Sequence, residues 1–236
     1  DHGAINLSQG FPDFDVDERL KNLAIKYIKK GPHQYAPMQG ALPLREAIYE
    51  KVNAMYNASY DVENEITITA GATQAIYTAI SAIIKENDEV ILFTPAYDCY
   101  EPAIELCGGK PVFFQLQAPD FAINWEEVKK LISPKTRMII INSPHNPTGS
   151  VLTKKDFIAL EKIISDTGII VLSDEVYEHL VYDDHTPQSV VSYPKLASSA
   201  IAVFSFGKTF HVTGWKLGYV LAPENLMYEF RKVHQF

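Results

Sequence analysis

Residues 65–93 read EITITAGATQAIYTAISAIIKENDEVILF, and their rhythm decides the fold. Ile66–Thr69 is a short β-branched run, Thr73–Lys85 carries apolar residues at helical spacing, and Val90–Phe93 is a second short apolar run. Short runs without polar alternation are strands covered on both faces, and helices between them supply the cover. The same alternation continues downstream. Helices are expected over Cys99–Leu106, Trp125–Ile132, Lys154–Asp166 and Glu224–Val233. Strands are expected over Pro111–Gln115, Met138–Asn142, Ile169–Leu172, Ile201–Phe204 and Gly218–Leu221. The class is α/β, with a mainly parallel sheet between two helical layers.

Upstream the pattern differs. Residues 1–17 carry Gly3, Gly10 and Pro12 with little periodicity and read as irregular. Glu18–Lys30 has Leu20, Leu23, Ala24, Tyr27 and Ile28 on one helical face with lysines opposite, and Gly31-Pro32 stops it. A second helix is expected over Pro43–Tyr56, with Pro43 suited to its first turn.

The 236 residues allow one large domain or two small ones. A net charge of −8 and the absence of any Lys/Arg run longer than two argue against nucleic acid or an anionic membrane surface as a partner. Anionic ligands would therefore be held by helix N-termini and isolated lysines. Cys99 and Cys107, eight apart, have neither CxxC nor zinc spacing and read as small packed side chains. With no long apolar run and no opening basic-apolar signal, a cytoplasmic protein is expected.

In such sheets ligands gather beyond the carboxyl ends of the strands. The first informative end is Ser205-Phe-Gly-Lys-Thr209, a Ser/Gly turn that projects Lys208. Lysine condenses with aldehydes once its free amine is available. A phosphate-binding P-loop is the competing reading, but its first glycine would fall at position 202, which is alanine.

Ser173-Asp-Glu-Val-Tyr177 follows another strand. Asp174 there can pair with a protonated pyridine nitrogen and keep the ring an electron sink, and the Tyr177 phenol can bond a ring hydroxyl. A metal site drawn from Asp174, Glu175, His179, Asp183, Asp184 and His185 is the alternative, though no standard ligand spacing is present. In Asn142-Ser-Pro-His-Asn-Pro-Thr-Gly149, two prolines and a glycine stiffen a turn that aims Asn146 at the sheet edge. Gly71, Ala72 and Thr73 join a strand to a helix, where free N–H groups bind anions; Ser205 and Lys216 could add a hydroxyl and a charge. Tyr97, at one more strand end, could lie flat on an aromatic ring.

These segments resemble the fold-type I pyridoxal-phosphate enzymes, specifically the class I/II aminotransferases. The resemblance runs from Asn6-Leu-Ser-Gln-Gly-Phe-Pro-Asp-Phe14 to Arg231-Lys-Val-His-Gln-Phe236, and Ser205-Phe-Gly-Lys-Thr-Phe210 with Thr213-Gly-Trp-Lys216 is its most specific part. Ser8–Phe14, Gln34-Tyr-Ala-Pro-Met38 and Pro144-His-Asn-Pro-Thr-Gly149 look most like the methionine and kynurenine/glutamine transaminase branch.

The resemblance implies an aspartate aminotransferase-like large domain, with a three-layer α/β/α build around a mainly parallel mixed sheet. It implies pyridoxal 5′-phosphate as cofactor, with amino acid and 2-oxo acid substrates exchanged by a ping-pong route. Lys208 would be the Schiff-base lysine and proton shuttle, and Asp174 the partner of the pyridinium nitrogen. Tyr177 and Asn146 would bind the ring oxygen, Tyr97 would stack, and Gly71, Ala72, Thr73, Ser205 and Lys216 would hold the phosphate. Tyr35 would reach the phosphate of a neighbouring subunit in a homodimer with shared sites, while Gly10, with Asn146, would lie beside the substrate.

Residues 1–40 would be an amino-terminal segment and residues 41–236 the cofactor-binding domain, with a small carboxyl-terminal domain and its carboxylate-binding arginine missing. Many members of the resembled family carry arginine where Lys216 stands, although lysine looks usual in this branch. A β-lyase on the same fold is the alternative activity.

Overall fold

The computed structural model describes residue 10, residues 13–183 and residues 186–236. Asp184 and His185 of the acidic stretch lie outside the described residues, as do residues 1–9, 11 and 12 of the amino-terminal motif.

Seven strands form one sheet: β1 (Ile66–Thr69), β2 (Glu89–Thr94), β3 (Lys110–Gln115), β4 (Thr136–Asn142), β5 (Ile170–Asp174), β6 (Ala200–Ser205) and β7 (Gly218–Leu221). Their order across the sheet is β1-β7-β6-β5-β4-β2-β3. β2 is parallel to β3 and β4, β4 to β5, and β5 to β6, whereas β7 runs antiparallel to both β6 and β1. β7 is thus the one reversed strand. Its beginning lies at the edge where the other strands end.

The helices are α1 (Glu18–Lys30), α2 (Leu42–Tyr56), α3 (Ala72–Ile83), α4 (Tyr100–Leu106), α5 (Trp125–Leu131), α6 (Lys154–Ile164), α7 (Pro194–Ala197), α8 (Phe206–Thr209) and α9 (Glu224–His234). Successive residues of a buried strand point to opposite faces, and the core divides accordingly. Ile91, Phe93, Ile139, Ile141, Val171 and Phe204 pack with residues of α2, α5, α6 and α7. Val90, Leu92, Met138, Ile140, Leu172 and Val203 pack with α3, α4 and α9. Both faces are apolar, which explains why the strands show no alternation in sequence.

The helix predicted for Glu18–Lys30 forms over that span, but none of its residues is buried, and Leu23, Tyr27 and Ile28 remain exposed. The segment carrying Lys208 is a short helix, α8, rather than an open turn, because the Ser205 hydroxyl accepts from the Lys208 N–H at 3.3 Å and caps it.

Candidate active site

The ends of β1, β2, β4, β5 and β6 and the start of β7 converge on one cavity of about 210 Å³. Ten predicted residues line it: Gly71, Ala72, Thr73, Tyr97, Asn146, Asp174, Tyr177, Ser205, Lys208 and Lys216. Lys216 reaches it because β7 is reversed, so the residues preceding that strand sit where the others' C-termini do. Gly10 lies instead in an adjoining depression that shares Tyr177 and Lys208 with the cavity. Tyr35 does not line the cavity and is fully exposed.

Asp174 ends β5 and is 3% exposed. Burial raises its carboxyl from the ordinary value to about 6, opposed by hydrogen bonds from the Tyr100 hydroxyl and the Val176 N–H and by the Lys208 charge. The Tyr100 bond is 2.5 Å and the Val176 bond 3.2 Å. At neutral pH the group is therefore predominantly a carboxylate and can hold a cation in the cavity. The Lys208 Nζ lies 5.4 Å from the centroid of the Tyr177 ring, so the amine and the phenol occupy the same wall.

Gly71 caps the N-terminus of α3 with φ +84°, a conformation that favours glycine. The first-turn N–H groups of α3 have no intrahelical acceptor and carry the positive end of the helix dipole. The Lys216 side chain lies close by, with Nζ 3.7 Å from where a Gly71 Cβ would stand. Gly218 permits this docking. A Cβ there would fall 2.6 Å from the Phe204 carbonyl oxygen and 3.1 Å from the Ala72 nitrogen. Helix terminus, lysine and the nearby Ser205 hydroxyl form a cradle suited to a phosphate.

Glu175, next to Asp174, is buried away from the cavity. Its Oε1 accepts from the Ser173 hydroxyl at 2.8 Å and the Val190 N–H at 2.9 Å, while Oε2 has no partner among the described residues. Burial raises this carboxyl to about 7. Glu178 accepts from Tyr56 at 2.6 Å and from Lys51, tying the turn after β5 to α2. Among the described residues, no group of three or more His, Cys, Asp or Glu side chains is placed to hold a metal ion. Among them, too, no helix is long and apolar enough to cross a membrane.

Sequence reasoning assigned no role to Tyr100 or Asn142, although both meet the cavity residues through hydrogen bonds. Tyr100 follows Tyr97 by three residues, and the two rings meet edge to face at 5.9 Å. That spacing was the available signal. Asn142 could have been noticed as the polar end of an apolar strand.

A primary amine, a buried acid and a phosphate cradle opening into one slot suit a ring that carries an aldehyde, a basic nitrogen and a phosphate. Fold and site together define a pyridoxal-phosphate protein of the aspartate aminotransferase-like type. The chain belongs to the class I and II aminotransferases, whose family model, described as "Aminotransferase class I and II", matches residues 2–236.

It is 48% identical over 235 residues to the methionine aminotransferase of Escherichia coli, covering 100% of this chain and 61% of that protein. It is 33% identical to mouse kynurenine–oxoglutarate transaminase 1, covering 100% and 58% respectively. A crystal structure identifying a methionine aminotransferase function in Escherichia coli superimposes with a TM-score of 0.97 at 49% identity, over 99% of this chain and 62% of that one. An aromatic aminotransferase from Pyrococcus horikoshii gives 0.92 at 42% identity, over 96% and 61%. The chain thus spans about three fifths of the length of these relatives.

Proposed function

We propose that the protein to which this chain belongs moves the amino group of an L-amino acid to a 2-oxo acid by a ping-pong route. The carrying observation is that Lys208, Asp174, Asn146 and Tyr177 line the same cavity as the anion cradle. When bound, pyridoxal phosphate supplies a carbonyl carbon that takes up the amino group and a ring that withdraws electrons from Cα.

The chain's residues do the rest. Lys208 would tether the cofactor through Nζ, and its free amine would be the group that moves a proton at the substrate Cα. Asp174 holds the pyridine nitrogen protonated; its own tendency to neutralise on burial is countered by Tyr100 and Lys208. Asn146 and Tyr177 would donate to the ring oxygen, Tyr97 would lie against the ring, and Gly71, Ala72, Thr73, Ser205 and Lys216 would hold the phosphate. Gly10 and Asn146 border the substrate.

Tyr35, fully exposed in this chain, would reach the phosphate of a second subunit in a homodimer with shared sites. Residues 1–40 serve as the segment contributing to the active site and dimer contact, and residues 41–236 as the cofactor-binding domain. A cytoplasmic setting suits this chemistry.

The names of the relatives favour transfer over β-elimination, and they span methionine, aromatic and kynurenine donors. A panel of amino donors with the full-length protein and a 2-oxo acid acceptor tests the reading. New amino acid is the expected product. Pyruvate and ammonia formed without an acceptor would establish the lyase instead.

A further inference from the structure

Asn142 ends β4 directly opposite Asp174, the end of β5, and is 8% exposed. Its side-chain amide is used at both ends. Nδ2 donates to the Asp174 carbonyl oxygen at 2.9 Å, and Oδ1 accepts from the Asn146 N–H at 2.8 Å. The Asp174 carbonyl also accepts from the Ser143 N–H at 3.1 Å, so both strand ends are locked together. The Asn146 N–H belongs to a loop turn and has no place in the sheet ladder. Asn142 Oδ1 supplies its acceptor.

We propose that Asn142 is a positioning residue that sets Asn146 relative to Asp174. It thereby fixes how the cofactor's ring oxygen and ring nitrogen are held at the same time. The inference rests on the functional reading above and adds a residue to it. The chemistry of the side chain supports the assignment. Only a carboxamide offers a donor on one arm and an acceptor on the other at this length; aspartate would set an anion against the Asp174 carbonyl, and leucine would satisfy neither partner. A buried amide with a partner on each arm gives the loop one orientation rather than several.

The test uses the full-length protein loaded with pyridoxal phosphate, titrating the cofactor's visible absorption band against pH. A donor to an oxyanion favours the deprotonated form, so losing the Asn146 contact raises the midpoint of that titration. Asn142→Ala should raise the midpoint at least half as far as Asn146→Ala, and the double variant should move no further than Asn146→Ala alone. Asn142→Ser, smaller but still polar, should move it in the same direction if Asn142→Ala folds poorly.

In the cofactor-free protein, hydrogen exchange at the Asn146 amide should speed up in both Asn142 variants. A wild-type midpoint in a folded Asn142 variant, or strictly additive shifts, would overturn the assignment while leaving the functional reading intact. Absence of any cofactor band in the wild-type protein would overturn the functional reading, and this inference with it.

Discussion

The Tyr100 hydroxyl donates to Oδ2 of Asp174 across 2.5 Å, joining the first turn of α4 to the end of β5. Both groups are buried, and burial raises both, while the hydrogen bond between them acts on the two in opposite senses. Burial raises the Tyr100 phenol well above its ordinary value, so the tyrosine keeps its proton and remains a donor. It also raises Asp174, but the donated hydrogen bond lowers that carboxyl again. The pair thus defends a carboxylate where solvent cannot.

Removing the donor should therefore move Asp174 upward. A hydrogen bond to a charged group is worth about 1.5–3 kcal/mol, equivalent to a shift of about one to two pH units. In Tyr100→Phe the acid limb of the kcat/KM profile should rise by that amount, with the alkaline limb unchanged. A profile superimposable on wild type would show that the phenol does not tune Asp174.

Lys208→Ala should abolish covalent capture of the cofactor. After borohydride reduction of the pyridoxal phosphate-loaded protein and digestion, the wild-type peptide containing residue 208 should carry a pyridoxyl label and the variant should carry none. Turnover should fall by at least the ~10²–10⁴-fold that a positioned acid–base group contributes. A label at another lysine in wild type would sink the assignment.

The phosphate cradle can be tested from two sides. Lys216→Ala removes a charge-assisted contact, so cofactor Kd should rise about tenfold to a hundredfold, consistent with about 1.5–3 kcal/mol. Gly218→Ala places a Cβ against Phe204 and Ala72 backbone atoms. Its expected cost is about 1–3 kcal/mol of folding stability, read as a lower Tm, together with weakened cofactor binding.

Glu175 offers a pH test of stability. Its folded-state value of about 7 exceeds the ordinary 4.5, so between these values the folded state holds a proton that the unfolded state has lost. Stability from this group is complete below about pH 4.5 and declines as pH rises to about 7, by up to about 3 kcal/mol for a shift of this size. Glu175→Gln should flatten that slope in urea melts across the window. An unchanged slope would place the titration elsewhere.

The layered sheet was legible because its strands are buried on both faces, and that condition writes itself into uninterrupted apolar runs. Ile66–Thr69 and Gly218–Leu221 appear at the predicted bounds. The reversal of β7 was not legible, since a four-residue apolar strand reads the same in either direction. Site residues at strand ends stood out by position and type, as with Lys208, Asp174 and Asn146.

Tyr100 and Asn142 were assigned no role because their work is done on other protein groups, and a sequence gives no distances. The exposed apolar face of α1 marks a different limit. Periodicity specifies which side of a helix is apolar but not what covers it.

The antiparallel β6–β7 pair has a consequence for how the cofactor would be held. Residues 206–217 connect these two strands, and both Lys208 and Lys216 belong to that connection. Under the proposed roles, the covalent anchor and the grip on the phosphate are carried by one short hairpin link. A distortion of that link would disturb both ends of the bound molecule together, so cofactor loss should follow hairpin damage in a single cooperative step.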